Sequence, residues 1–183
     1  MKKLLTVFTL LLSVTAYADY EQPVSVTSAR ASSNLPASVE RSTGQYNNYE
    51  SWSACDGNYT TAWVEGVRGQ GEGQWIELYF AETELNAIYI QNGYWKTPER
   101  LAQNSRLQRI LVEFADGGAE EFVLPDPVRE NYWEMITTPG TRLDLLRPHR
   151  TNFVRIRILA TYRGSRWTDT CVSEIIPLGI VRE

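Results

Sequence analysis

Gln74-Trp75-Ile76-Glu77-Leu78-Tyr79-Phe80 puts Ile76, Leu78 and Phe80 on one face of an extended chain. Alternation with a period of two is the mark of a strand with one face in a core. Outward from this stretch the pattern recurs. Leu107 to Phe114 presents Ile110, Val112 and Phe114, and Phe153-Val154-Arg155-Ile156-Arg157-Ile158 turns Val154, Ile156 and Ile158 inward with its arginines outward. Half-buried strands of this kind pair into antiparallel sheets.

Between the strands, Asp116-Gly117-Gly118 is a hairpin signal, and Pro125-Asp126-Pro127 stops the strand that follows. No long segment carries helical periodicity. One short helix is expected over Pro98 to Asn104, with proline at an early helical position. Ser38 to Ser53, rich in Ser, Asn and Tyr, reads as a long loop. The expected fold is all-β, a β-sandwich of short strands.

Met1-Lys2-Lys3, the apolar run Leu4 to Ala16 and Ala16-Tyr17-Ala18 read as a secretory signal, residues 1–18, cleaved after Ala18. The alternative is a retained anchor, but the run is short for a bilayer span and no second run of that length follows. Residues 19–183 then form one domain. The signal carries lysines and no acid, so the mature domain is more acidic than the −4 of the whole chain. That balance gives no nucleic-acid or anionic-membrane footprint. Arg147 to Arg166, basic but alternating with apolar residues, reads as a solvated strand face.

Export implies an oxidising compartment, where a lone cysteine pair usually bridges. Cys55 and Cys171, the two cysteines of the chain, are therefore expected to form a disulfide, with two reduced core thiols as the alternative. A bridge would bring Ala54–Trp63 and Asp169–Ile175 together, gathering Asp56, Thr61 and Glu174 around a point suited to a hard cation.

Ala31-Ser32-Ser33, Ala54-x-Asp56-Gly57-x-x-x-Thr61-x-Trp63 and the strand Trp75-Ile76-Glu77-Leu78 resemble the discoidin-like domains of the coagulation-factor type C family, which are galactose-binding-like jelly-roll sandwiches. Thr61 to Gly66, Gly69-x-Gly71-x-Gly73-x-Trp75-Ile76, Asn92-Gly93-Tyr94-x-Lys96, Asn104-x-Arg106 and Asp169-Thr170-Cys171-x-Ser173-Glu174-Ile175 resemble its bacterial branch, the NADase-type glycan-binding or NAD glycohydrolase translocation domain. The likeness runs from Ala31 to Ile175. It implies fold and binding character without NAD hydrolysis, because the branch is named for toxins whose NAD-cleaving domain is separate. It also implies a structural calcium held by Asp56, Asn58, Thr61 and Glu174, chemistry that suits a cation accepting many oxygens in loose geometry. The alternative is that Asp56 and Thr61 cap the turn by hydrogen bonds.

Ligands of such sandwiches sit among loops at one end, and a sugar needs an aromatic face and planar hydrogen-bonding groups. The candidates are Tyr94, Trp95 and Trp167, flanked by Glu65, Lys96, Asn104 and Arg106. Trp95 and Trp167 alternatively pack as ordinary loop aromatics, and Arg106 alternatively pairs with Glu65 or Glu99. Trp63 and Trp75 read as core. The Gly69-Gln70-Gly71-Glu72-Gly73 run precedes a strand and lacks a following Gly-Lys-Ser/Thr, so it is no phosphate cradle. The lone His149 reads as a surface residue, and no nucleophile motif points to it.

The expected function is that of an exported, non-catalytic module recognising a carbohydrate or another envelope or host-surface ligand. An envelope protein-interaction or structural domain is the alternative. A glycoside hydrolase using carboxylates such as Glu65 and Asp169 ranks below both. The sequence does not set the oligomeric state.

Overall fold

The computed structural model describes residues 20–128 and 140–181; the segment read as a signal lies outside them. The elements are β1 (Tyr20–Pro23), β2 (Val26–Ala31), β3 (Ser38–Val39), β4 (Tyr46–Asn47), β5 (Trp63–Val64), β6 (Trp75–Asn92), α1 (Pro98–Gln103), β7 (Arg106–Phe114), β8 (Ala119–Val123), β9 (Thr141–Tyr162) and β10 (Cys171–Val181). A single 3-10 turn, Ser51–Ala54, precedes β5.

Hydrogen bonds link the strands in the order β1-β10-β6-β9-β7-β8, with β2 also on β6 and β5 on β10. All of these ladders are antiparallel. The long strands β6 and β9 shift register between Tyr79 and Thr83 and between Leu85 and Ala87. Such irregularities bend a strand, so one continuous ladder wraps both sides of the core as a jelly-roll sandwich. The core is filled by the inward residues of the alternating stretches: Ile76, Leu78, Phe80, Ile110, Val112, Val154, Ile156 and Ile158 pack together with Trp63.

On the outward face the arginines do not stand free in water. Arg30 and Arg155 both hold Glu77, and Arg157 reaches Glu113 at 2.9 Å. The Arg155 guanidinium lies 4.8 Å from the Trp75 ring centre, so Trp75 serves this outer layer while Trp63 is core.

The Asp116 hairpin forms as expected, with Gly117 at φ 80° and Asp116 Oδ1 accepting from Gly118 N at 2.8 Å. Helix α1 begins at Pro98, and the Thr97 hydroxyl accepts from Arg100 N at 3.2 Å as its N-cap. The Ser38–Ser53 stretch is more than a loop, because β3 and β4 pair within it.

Two expectations are corrected. Cys55 and Cys171 are free thiols, not a disulfide. Cys55 packs against the main core at the end of the 3-10 turn, whereas Cys171 belongs to a separate small cluster with Ala62, Val64 and Tyr94. The early turn and β10 do meet, but through Glu174, whose charge acts on the Cys55 thiol. His149 is buried, not a surface residue: its ring stacks on Phe114 at 3.9 Å, Nδ1 lies 2.9 Å from Asp116 Oδ2, and Nε2 lies 2.9 Å from Glu120 Oε1.

Candidate functional site

The 3.6-residue period of α1 ends at Asn104, leaving the carbonyls of its last turn without helical partners. The loop before β10 supplies the donors: Ser165 N bonds Ala102 O at 3.0 Å, and Arg166 N and Trp167 N bond Gln103 O at 3.1 and 2.8 Å. This docking stands Trp167 beside the start of β10. It closes a cavity of about 210 Å³ lined by Leu35, Tyr49, Val64, Tyr94, Arg100, Asn104, Trp167 and Asp169.

Three of the candidate ligand residues therefore meet in one cavity: Tyr94, Asn104 and Trp167. Tyr94 is held edge-on against Tyr49, with ring centres 6.3 Å apart at 84°. Burial pushes its phenol above the ordinary range, so it is a neutral hydroxyl. Trp167 is 41% exposed, with the Arg166 guanidinium 4.8 Å from its ring centre. Burial also raises the Asp169 carboxyl. Arg100 borrows Glu40 at 3.4 Å from the β3–β4 hairpin. The cavity thus joins aromatic faces to a carboxyl, an amide and a guanidinium, the combination that grips a polar ring with an apolar side.

The other four candidates build the scaffold and do not line this cavity. Glu65 is fully buried, with Oε2 accepting from Val67 N at 2.9 Å and Oε1 from Thr170 N at 3.2 Å. Both oxygens are committed to backbone, which removes Glu65 from the acid–base work a hydrolase would ask of it. Trp95 is buried, its indole N–H donating to Asn92 O at 2.8 Å. Lys96 ties down the β3–β4 hairpin through Asn47 Oδ1 at 2.8 Å. Arg106, 4% exposed, pairs with neither Glu65 nor Glu99 but with Asp126, and its Nη1 also donates to Asn104 O at 2.7 Å.

Sequence reading missed Leu35, Tyr49, Val64 and Arg100. Tyr49 lay in a tyrosine-rich loop, a compositional hint of a binding surface. The others are of types that occur anywhere, and only tertiary contact gathers them.

At the acidic turn, Asp56 Oδ1 accepts from Asn58 N at 2.9 Å, and Asn58 Oδ1 turns back to Thr60 N at 3.1 Å. The Thr61 hydroxyl oxygen has four other oxygens around it: both of Asp56 at 3.0 and 2.8 Å, Asn58 O at 2.6 Å and Ser53 O at 3.4 Å. One hydroxyl proton serves one of them at a time, so the loop concentrates hard acceptors beyond its own donors, as a site for an oxygen-loving cation does. Glu174 approaches the same loop from β10. Burial, then the Asp56 charge, raises its carboxyl to about 7, against which the Gly57 and Asn58 N–H groups act.

The sequence profile of one domain family matches residues 19–177. The chain belongs to the NAD glycohydrolase translocation F5/8 type C domain family. No curated protein is significantly similar in sequence. Among solved structures, the domain resembles a family 32 carbohydrate-binding module of NanJ from C. perfringens, in complex with galactose, with TM-score 0.60 and 14% identity over 87% of this chain and 99% of that one. It also resembles the family 32 module of AlyQ in complex with 4,5-unsaturated mannuronic acid, with TM-score 0.52 and 13% identity over 85% and 97% of the two chains. A pectin-binding module gives TM-score 0.52 and 14% identity over 84% and 91%. These likenesses establish the jelly-roll fold that the domain shares with carbohydrate-binding modules. Among the described residues, no helix is long and apolar enough to cross a membrane.

Proposed function

We propose that the domain is a non-catalytic module, acting outside the cytoplasm, that binds a carbohydrate in the cavity between α1 and the loop before β10. The observation that carries this reading is the convergence of Tyr94, Tyr49 and Trp167 with Asn104, Arg100 and Asp169 around about 210 Å³. A pyranose ring offers a C–H face for the aromatics and equatorial hydroxyls for the amide and carboxyl. A cavity of this size suits a single sugar unit. The solved modules of the same fold, seen with galactose or an unsaturated mannuronic acid, support the ligand class.

A glycan array followed by titration of the best ligand tests the proposal. Trp167→Ala is the informative variant, since its exposed ring can be removed without opening the core. Binding at least about tenfold weaker with an unchanged melting temperature is expected. No glycan bound above background, or undiminished binding by the variant, would sink the reading.

As a second element we propose a structural calcium at the Asp56 turn. Asp56 and Glu174 would supply charge, and Thr61 with the oxygens of Asn58 and the Ser53 carbonyl would supply neutral ligands. When bound, the ion would lock the loop geometry and would take no part in ligand chemistry.

A further inference from the structure

Asp169 lines the cavity between α1 and the loop before β10, and it is partly buried there. Among the described residues its carboxylate has one hydrogen-bond donor, its own backbone N–H. Three cations stand around the cavity, and all are committed elsewhere: Arg100 to Glu40 at 3.4 Å, Arg106 to Asp126 at 2.9 Å, and Arg166 to the face of the Trp167 ring at 4.8 Å. The other polar groups do not supply the missing partner. Asn104 Nδ2 already donates to Arg100 O at 2.8 Å, which leaves Oδ1 as the acceptor of that amide. Burial raises the Glu65 carboxyl, and the Asp169 charge adds to the rise, so these two acids lie close enough to repel. A carboxylate withdrawn from water without a counter-charge is costly. A cation arriving with the ligand removes that cost.

We infer that the cavity selects an amino sugar: a hexose ring carrying an unacylated ammonium group, which pairs with the Asp169 carboxylate while the C–H face of the ring rests on Trp167. The inference rests on the carbohydrate reading of this cavity and narrows it. The ammonium supplies both the donor and the positive charge that Asp169 lacks, and its three protons leave others for acceptors such as Asn104 Oδ1. A hydroxyl in its place keeps the size and loses the charge. An acetamide loses the charge and sets a larger group against the carboxylate. A uronic acid brings like charge to Asp169 and is disfavoured, so the same side chain both attracts one ligand class and repels another.

The test is titration of the domain, followed by amide chemical shifts, with the methyl glycosides of glucosamine and galactosamine just below neutral pH, where their amines are charged. Each is compared with its N-acetylated form and with the parent hexose. At least one amino sugar should bind about tenfold tighter or more than both of its counterparts, with shifts at Tyr94, Trp167 and Asp169. Asp169→Asn keeps the shape, removes the charge and retains the backbone bond from Ser105 N to the carbonyl of residue 169. It should bring the amino sugar to the level of the parent hexose and leave the hexose itself unchanged, and Asp169→Ser reads the same loss with a smaller side chain. Equal affinity within a series, a tighter N-acetylated form, a preference that survives in both variants, or no binding of either amino sugar would each overturn the inference. None of these outcomes touches the carbohydrate reading, which stands or falls on the glycan array and Trp167→Ala.

Discussion

Arg106 and Asp126 form a buried two-point ion pair, Nε to Oδ1 at 2.9 Å and Nη2 to Oδ2 at 3.3 Å. The same guanidinium donates to Leu101 O and Asn104 O, so one side chain fastens β7 to the end of α1 and to the Pro125–Pro127 turn. Removing one member of a buried pair strands the other charge, at a cost of about 3–5 kcal/mol. Arg106→Ala should therefore lower the denaturation midpoint strongly with or without sugar present. Lysine, lacking the two-point fork, should restore only part of the loss. A full-stability Arg106→Ala protein would refute this assignment and return Arg106 to the ligand.

Gly71 has φ 76°, and a Cβ there would lie 2.6 Å from Glu65 Cγ. Gly71→Ala combines left-handed strain with a clash against a fully buried side chain, and about 1–3 kcal/mol should be lost. Gly73→Ala is the control: its φ is 85°, but a Cβ would meet nothing within 4 Å, so it should cost less. Equal melting temperatures for the two variants would contradict the packing around Glu65.

Acid should destabilise the domain through two carboxylates. At Glu77 burial favours the proton, but Arg30, Tyr79 and Arg155 outweigh it and hold the group below its ordinary 4.5. At Asp116 burial is likewise outweighed by Gly118 N–H and His149, which hold it below 3.8. A depressed folded-state value means the unfolded chain takes up protons first, so the stabilisation is present above these ordinary values and is lost as pH falls through the folded ones. Melting temperature measured against pH should fall below about pH 4.5, and Glu77→Gln should flatten that slope. A slope unchanged in the variant would remove Glu77 from the account.

The thiols should stay apart. Burial, then the charges of Glu174 and Asp56, pushes Cys55 up to about 12, and complete burial raises Cys171 well above the ordinary thiol range. Thiolates do the alkylating and exchanging, so both cysteines should react slowly in the native state and count as two free thiols after denaturation. Reductant should leave the melting temperature unchanged. A thiol count of zero would restore the disulfide.

Calcium added to chelator-treated protein should raise the melting temperature, and Asp56→Asn should abolish the rise. Binding that is restricted to the native state stabilises by mass action, so the shift should grow with calcium concentration. No shift in the parent domain would leave Asp56 and Thr61 as a hydrogen-bonded turn cap.

The strands at Trp75, Leu107 and Phe153 were legible because alternation at period two is a local property, and so were the Asp116 hairpin and α1, which depend on nearest neighbours. Family membership was legible as well, since its motifs are written in order along the chain. The ligand cavity was legible only in part. Trp167 is separated from Tyr94 and Asn104 by tens of residues, and nothing local distinguishes Trp167, which faces the cavity, from Trp95, whose indole bonds Asn92.

By itself the sequence determined an antiparallel sandwich and an acidic turn at Asp56, because side-chain periodicity and turn chemistry act over a few residues. Tertiary structure decided what that turn meets: Glu174 reaches it, with no bridge between the cysteines, while Cys171 joins Val64 and Tyr94 in another cluster. It likewise turned Glu65 and Arg106 from candidate ligands into buried fasteners. Burial and charge pairing are sums over neighbours distant in the chain, and those neighbours exist only once the chain has folded.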